Sequence, residues 1–330
     1  MIAFGPVPSR RLGRSLGINN IPPKACTYSC VYCQLGRTPN MQVQRRAFFD
    51  PKEVVSAVRA QLARSQETGE SIDYLTFVAD GEPTLDANLG REIELLRPCG
   101  RPLAVITNAS LIWRRDVQQD LRSVDWVSLK VDAVEPEIWR RVDRPHGRLD
   151  LPSILEGALE FAAGYRGCLV TETMLVAGLN DGEEHLVALG GYLARLRPSV
   201  AYLSIPTRPP AEGWVRAPDE ESLNRAYQRL SQDVAHVEYL AGYEGNAFAF
   251  SGDVERDLLS ITAVHPMRQD AVSDYLARAG ADWLAVRRLL ARGELVEVKY
   301  SGHSFYLRRL APGRPGHRAG AGSGGPNHVN

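Results

Sequence analysis

The sequence predicts an α/β protein with a short, differently built C-terminal appendage, and three observations carry that prediction. From Asp50 to Ile205, apolar runs of strand length alternate with segments of helical period. A cysteine-rich loop, Cys26-Thr-Tyr-Ser-Cys30-Val-Tyr-Cys33, precedes the alternation. After Leu240 the alternation stops, and helical segments lead into a hairpin pattern. Strict alternation implies parallel strands with right-handed crossovers, hence a barrel or an open sheet, and six such units fit between Leu16 and Pro206.

The elements follow in order. Gly5 to Gly17 is too rich in Gly and Pro for a helix and reads as an ordered loop feeding a strand, Leu16 to Asn19. Its Arg10, Arg11 and Arg14 suit a substrate anion, neighbouring carboxylates or a plain solvated turn. Asp50-Pro51 is an N-cap followed by proline at the first helical position, Glu53 completes a capping box, and Val54, Val55, Val58 and Leu62 recur at helical spacing to about Gln66. Strands are expected at 74–78, 103–107, 126–131, 169–176 and 201–205, and helices at 114–121, 137–142, 152–163 and 183–195. Beyond residue 250, helices are expected at 251–263, 266–279 and 282–291, then a hairpin of 295–300 and 304–308. Helices followed by a two-stranded hairpin suggest a winged helix. Within it Trp283, Val286 and Leu290 form the expected buried stripe, leaving Arg287, Arg288 and Arg292 for phosphate contact. From Pro312 onward Gly, Pro, Arg and Ser dominate, so the tail is expected to be disordered. The expected units are thus 1–250, 251–310 and a tail of 311–330.

Composition bounds the function. The 330 residues suffice for one large α/β domain with an appendage, or for two ordinary domains. Lys and Arg number 39, as do Asp and Glu, which argues against a global bias toward nucleic acid or membrane. Residues 251–330 carry 11 Lys/Arg against 8 Asp/Glu, a net +3 too mild to argue DNA binding by charge. Neither a signal peptide nor a run of ~20 apolar residues is evident, so a cytoplasmic protein is expected.

The chemistry-bearing residues concentrate in the cysteine loop and at strand ends. Three thiolates on one loop can each bind a different iron of a [4Fe–4S] cubane, leaving the fourth iron to a chelating small molecule. A zinc site, a disulfide with a spare thiol, or three unconnected core cysteines are the other readings; zinc would want a fourth ligand at knuckle spacing, and His146 is far downstream. The other two cysteines, Cys99 and Cys168, have no cysteine at ligand spacing, and Cys168 reads as a small buried hydrophobe. Ligand sites in alternating α/β folds lie at the carboxyl ends of strands. There the sequence places Asp80-Gly81-Glu82-Pro83-Thr84-Leu85, Asn108 and Leu175-Val176, while Ser128, Lys130 and Asp132 share one face of a strand.

The cysteine triad with Tyr32 before its last member, Gly81-Glu82-Pro83, Asn108 and Ser128-Leu-Lys130-Val-Asp132 together resemble the radical S-adenosylmethionine (SAM) superfamily over about residues 5–250. Gly5-Pro-Val-Pro-Ser-Arg-Arg-Leu-Gly13 and Ile205-Pro-Thr-Arg-Pro-Pro210 are similar to a branch of iron–sulfur oxidoreductases related to the tRNA wyosine-synthesis enzymes. The resemblance implies a partial (β/α)6 barrel. It also implies that Cys26, Cys30 and Cys33 ligate a [4Fe–4S] cluster, and that SAM chelates the open iron. SAM contacts would come from Tyr32, from Gly81 and Glu82 as exposed acceptors for its amino group with Pro83 beside them, from Asn108 and Ser128, and from Leu175 and Val176 at the adenine edge. A low-potential donor such as flavodoxin or ferredoxin would supply the electron that cleaves SAM to a 5′-deoxyadenosyl radical. Lys130 and Asp132 would face the substrate. Arg144, Arg148 and Arg208 on the covering loops suit an anionic one. RNA, a protein or peptide partner, and a non-catalytic redox role remain open on sequence grounds.

Overall fold

The computed structural model describes residues 1–240, 248, 250, 252–264 and 266–309. Eight strands form one sheet in chain order: β1 (Ala3–Ser9), β2 (Gly13–Ile18), β3 (Tyr74–Phe77), β4 (Leu103–Thr107), β5 (Trp126–Lys130), β6 (Cys168–Met174), β7 (Val200–Ser204) and β8 (Val237–Tyr239). The β1–β2 pair is antiparallel, and all later neighbours are parallel. Between them run α1 (Pro51–Glu67), α2 (Leu89–Leu96), α3 (Arg115–Leu121), α4 (Pro136–Val142), α5 (Leu151–Gly164), α6 (Glu183–Leu196) and α7 (Glu220–Leu230).

Caps set the helix starts. The Asp50, Asp150 and Asp219 carboxylates accept from Lys52 N, Ser153 N and Ser222 N at 2.9, 3.0 and 2.8 Å. On α1, Val54, Val55 and Val58 are buried against the sheet, as their spacing implies.

Three departures from the expected fold have physical reasons. The stretch expected as a loop from Gly5 forms β1, an edge strand where Pro6 and Pro8 need no ladder N–H. The short α2 buries Leu89, Ile93 and Leu96 at i, i+4 and i+7, a pattern too brief to stand out. A seventh parallel strand, β8, extends the sheet beyond the expected six and is only three residues long.

After Leu240 the described chain forms α8 (Val254–Val264), β9 (Met267–Arg268), α9 (Gln269–Arg278), α10 (Leu284–Ala291), β10 (Leu295–Tyr300) and β11 (His303–Arg308). Its sheet has the order β10-β11-β9. This part has its own core of Leu258, Met267, Val272, Tyr275, Val286 and Leu289, against which Val7 of β1 packs. On α10 the buried stripe is Ala285, Val286 and Leu289, with Trp283 and Leu290 partly buried beside it. Two of the arginines expected to meet phosphate are instead ion-paired: Arg288 and Arg292 hold Glu255 at 2.7 and 2.6 Å, and Arg292 also reaches Glu294 at 3.1 Å. The tail expected from Pro312 lies outside the described residues, as does Ser251. No helix among the described residues is long and apolar enough to cross a membrane.

Candidate active site

β2 ends at Ile18 and delivers the chain to the cysteine loop, at the carboxyl ends of the parallel strands. Neighbouring segments then fix its backbone. Ser29 N and Val31 N donate to Asp143 O and Val142 O at 3.1 and 2.9 Å, and His146 N donates to Thr27 O at 2.9 Å. Glu212 N donates to Val31 O at 3.1 Å, and Gln42 N to Cys26 O at 3.0 Å. Val31 and Tyr28 are buried, whereas Cys26, Cys30 and Cys33 are half-buried and line one cavity of about 400 Å³. All five cysteines are free thiols.

Burial pushes the Cys26 thiol up to about 12, and burial followed by the Asp143 carboxylate pushes Cys30 well above its usual value. Metal binding must therefore displace protons that these thiols hold firmly. The donor set fits an iron–sulfur cluster: three soft sulfurs on one wall, with Asn108 Nδ2 3.6 Å from Cys26 Sγ and Asp143 Oδ1 3.4 Å from Cys30 Sγ. Neither a histidine nor a fourth cysteine lines this cavity among the described residues.

Of the residues expected around SAM, Tyr32, Gly81 and Asn108 line the cavity with the cysteines, and so does Lys130 of the substrate-facing pair. Gly81 is dictated by close approach, since a Cβ there would lie 1.9 Å from the Ala25 carbonyl oxygen. Glu82 departs from expectation as an exposed acceptor. It is fully buried; Oε1 accepts from Thr84 N, Thr84 Oγ1 and Thr107 Oγ1 at 2.9, 2.6 and 2.6 Å, and Oε2 from Asn108 N at 2.7 Å. Its carboxylate thus ties the loop after β3 to the loop after β4 and sets Asn108, whose Nδ2 donates to Thr27 Oγ1 at 2.8 Å. Pro83, Ser128, Asp132, Leu175 and Val176 likewise stand behind the cavity wall. The N–H groups of Leu175 and Val176 are engaged by Ser204 O and Asn180 Oδ1, both at 2.8 Å, which leaves neither amide for an adenine edge.

The sequence reading missed what holds Lys130. Its Nζ bonds Glu172 Oε1 at 3.0 Å, Ser204 Oγ donates to the same oxygen at 3.0 Å, and Arg11 Nη1 reaches Glu172 Oε2 at 2.5 Å. Arg11 comes from the β1–β2 turn, stacks 5.8 Å from the Trp126 ring centroid and 5.9 Å from that of Tyr202, and lies 3.5 Å from Ser128 Oγ. Of its three readings, neighbouring carboxylates hold. Burial opposes the charge on Lys130, but Asp132 and Glu172 raise its pKa; burial likewise disfavours ionised Glu172, and Lys130 and Arg11 hold its pKa far below the carboxylate range. Asp132 accepts from Tyr32 OH and, through Oδ1, from Met174 N at 2.7 Å, so it orients the tyrosine rather than facing the cavity. The available signal was one carboxylate inside the strand run Leu169-Val-Thr-Glu172-Thr-Met174. Arg144, expected to suit an anionic substrate, instead bonds Glu212 Oε1 at 2.5 Å.

Asp80 also lines the cavity. Burial raises its pKa to about 7, against the lowering influence of the chain's amino terminus, Arg308 and Lys24. A carboxyl with a raised folded-state pKa stabilises the fold below its unfolded value near 4, and that stabilisation is lost as pH rises through about 7. Asp80→Asn is therefore expected to flatten the decline in unfolding free energy between about pH 4 and 7 by on the order of 3 kcal/mol. Urea titrations at several pH values read it out, and parallel curves for the two proteins would refute it.

The sequence model of the Radical SAM superfamily matches residues 20–190. A UPF0026 protein of Methanocaldococcus jannaschii is 44% identical over 311 residues, covering 94% of this chain and 96% of that one. A UPF0026 protein of Helicobacter pylori strain J99 is 35% identical over 63% of this chain and 67% of its own length. Among solved structures, a TYW1 with a bound lysine–pyruvate adduct aligns with TM-score 0.51 at 16% identity, over 67% of this chain and 74% of that one. A radical SAM methyltransferase from Sphaerobacter thermophilus aligns with TM-score 0.51 at 18% identity, over 69% and 67%. These two likenesses concern the fold. The family match spans the cysteine loop and strands β3 to β6, and with a 44% identical relative along nearly its whole length this chain belongs to the radical SAM superfamily, whose cofactors are a [4Fe–4S] cluster and SAM.

Proposed function

We propose that the protein is a radical SAM oxidoreductase whose substrate sits in the cavity between the cysteine loop and the Lys130–Glu172–Arg11 network. The observation that carries this reading is that three thiols and a buried, charge-compensated cationic network line one cavity. Cys26, Cys30 and Cys33 would hold the cluster as thiolates. With SAM bound and one electron added, it supplies the 5′-deoxyadenosyl radical chemistry of the superfamily. On the protein's side, Tyr32, Gly81 and Asn108 form the SAM wall. Glu82, Pro83, Ser128, Leu175 and Val176 shape that wall from behind, and Asp132 orients Tyr32. Lys130 would meet an anionic group of the substrate, because two of its three N–H bonds are not needed by Glu172. Five free cysteines suit a reducing compartment such as the cytoplasm.

Anaerobic reconstitution followed by photoreduction in the presence of SAM is expected to yield 5′-deoxyadenosine. A chain carrying about four irons and producing none would overturn the reading.

A second reading, a protein or peptide substrate rather than RNA, is favoured by one observation: Arg288 of α10 and Arg292 at its C-cap are engaged by Glu255 and Glu294. In this reading residues 1–250 are the catalytic barrel and 251–310 a winged-helix-like module, consistent with the order α8-β9-α9-α10-β10-β11, which serves protein contact.

A further inference from the structure

We propose that Asp86 and Glu92 form a proton-sharing acid pair that, together with Asn20, positions the Glu82–Pro83 wall of the cavity. The inference rests on the radical SAM reading above and extends it to residues behind that wall. Asn20 follows β2, Asp86 caps the short turn Pro83–Leu85, Glu92 lies on α2, and all three are fully buried. A surplus of acceptors sets them apart. Asn20 Oδ1, Asp86 Oδ2 and both carboxylate oxygens of Glu92 receive no donor among the described residues. Yet Asp86 stands within hydrogen-bonding reach of Glu92, and Glu92 within reach of Asn20. Buried acceptors that face one another need a proton between them.

The surroundings place that proton on Glu92. Asn88 N donates to Asp86 Oδ1 at 2.9 Å and Phe48 N also donates to the Asp86 carboxylate, which favours its ionised form. Arg45 acts on Asp86 from a distance. Its guanidinium donates to the carbonyls of Thr84 and Asp86 at 2.9 and 2.7 Å and is bound by Asp116 and Asp120 of α3, so it neutralises neither member of the pair directly. The buried face of α1, which packs on α2, adds no charge, being Val54, Val55, Val58 and Ser65. Burial, reinforced by Asp86, pushes the Glu92 carboxyl up to about 9.

What the pair positions is one peptide. The Pro83 carbonyl accepts from Asn20 Nδ2 at 3.2 Å and from Asp86 N at 3.1 Å, so both neighbours of Glu92 grip the same oxygen. Pro83 follows Glu82, whose carboxylate sets Asn108 at the cavity. With Glu92 protonated, its O–H donates to Asp86 Oδ2 and draws α2 and the turn together. With the proton lost to solvent, two carboxylates repel in a dry site, and the strain falls on Pro83. The form that shapes the wall is therefore the protonated one, and it is depleted as pH rises through about 9, above the range in which Asp80 titrates.

The test compares wild type with Glu92→Gln, whose amide N–H stands in for the proton at constant charge. Equilibrium dialysis of labelled SAM against the anaerobically reconstituted holoenzyme, without reductant, reads affinity. At neutral pH the two proteins are expected to bind alike. Between about pH 8 and about pH 9.5 the wild type is expected to weaken about fourfold more than Glu92→Gln, the ratio of protonated fractions for a group leaving at about 9. The infrared spectrum at neutral pH is expected to show a carboxylic-acid carbonyl band in wild type that Glu92→Gln lacks. Parallel affinity curves or identical infrared spectra would overturn the proposal, as would a divalent cation retained by wild type and lost from Glu92→Gln. A wild type that binds no SAM at any pH would instead overturn the radical SAM reading, and the infrared comparison would still decide the acid pair.

Discussion

Cys30→Ala is expected to lose the cluster outright: iron in the reconstituted chain falls from about four per polypeptide to below about one, and the broad iron–sulfur absorbance disappears. Cys30 sits mid-loop, with its neighbour Val31 buried and bonded on both backbone sides, to Val142 O through its N–H and to Glu212 N through its carbonyl. The loop therefore keeps its shape when one sulfur is removed, and the remaining two thiols cannot retain the cubane. Formation of 5′-deoxyadenosine should fall by at least two orders of magnitude, because loss of outer contacts to a metal ligand alone costs about 10–100-fold. Colorimetric iron analysis and product chromatography measure the two effects, and a variant with a full complement of iron would contradict the ligand assignment.

Glu172→Gln is expected to carry the largest stability cost. The carboxylate neutralises Lys130 and Arg11 at once, and the three side chains are only 18%, 14% and 14% exposed. Removing one member of a buried ionic group leaves its partners desolvated and unpaired, a loss of about 3–5 kcal/mol, or roughly 5–15 °C in the thermal midpoint. The difference from wild type has a defined pH dependence. Because the folded-state pKa of Glu172 is depressed, its contribution is fully present above the ordinary carboxylate range and is lost only as pH falls through the lower folded value. The two proteins should differ by a constant amount at neutral pH and converge in strong acid. Lys130→Met added to Glu172→Gln should recover part of the loss, since it removes one stranded cation. Calorimetry of the three proteins checks both points.

What was legible in the sequence was whatever has a local period or spacing. Helices with a cap and a repeated apolar face, such as α1, and strands with continuous apolar runs, such as β4 and β5, stand within a residue or two of expectation. The cysteine spacing brought three thiols to one wall, and Tyr32, Gly81, Asn108 and Lys130 joined them there. What was not legible depends on partners far along the chain. Glu82 reads as a loop acceptor until Thr107 and Asn108 are seen to surround its carboxylate. Arg11 reads as a surface turn residue until Glu172, 161 positions later, is placed beneath it. Arg144, Arg288 and Arg292 read as free cations because the carboxylates that engage them lie in other segments. Charge alone gives the sign of an interaction; only the fold decides whether it is already satisfied within the chain.

The β1–β2 hairpin has a consequence for the order in which the molecule is made. The base of its turn is completed only when Glu172 on β6 arrives, and Val7 is covered only when the core around α8 has formed. Loops that long close late, because their entropic cost precedes the contacts that repay it. The hairpin is thus finished late, after the partners far along the chain are in place. Until then it presents a proline-studded edge strand and an unpaired arginine, two features that discourage edge-to-edge association with other chains.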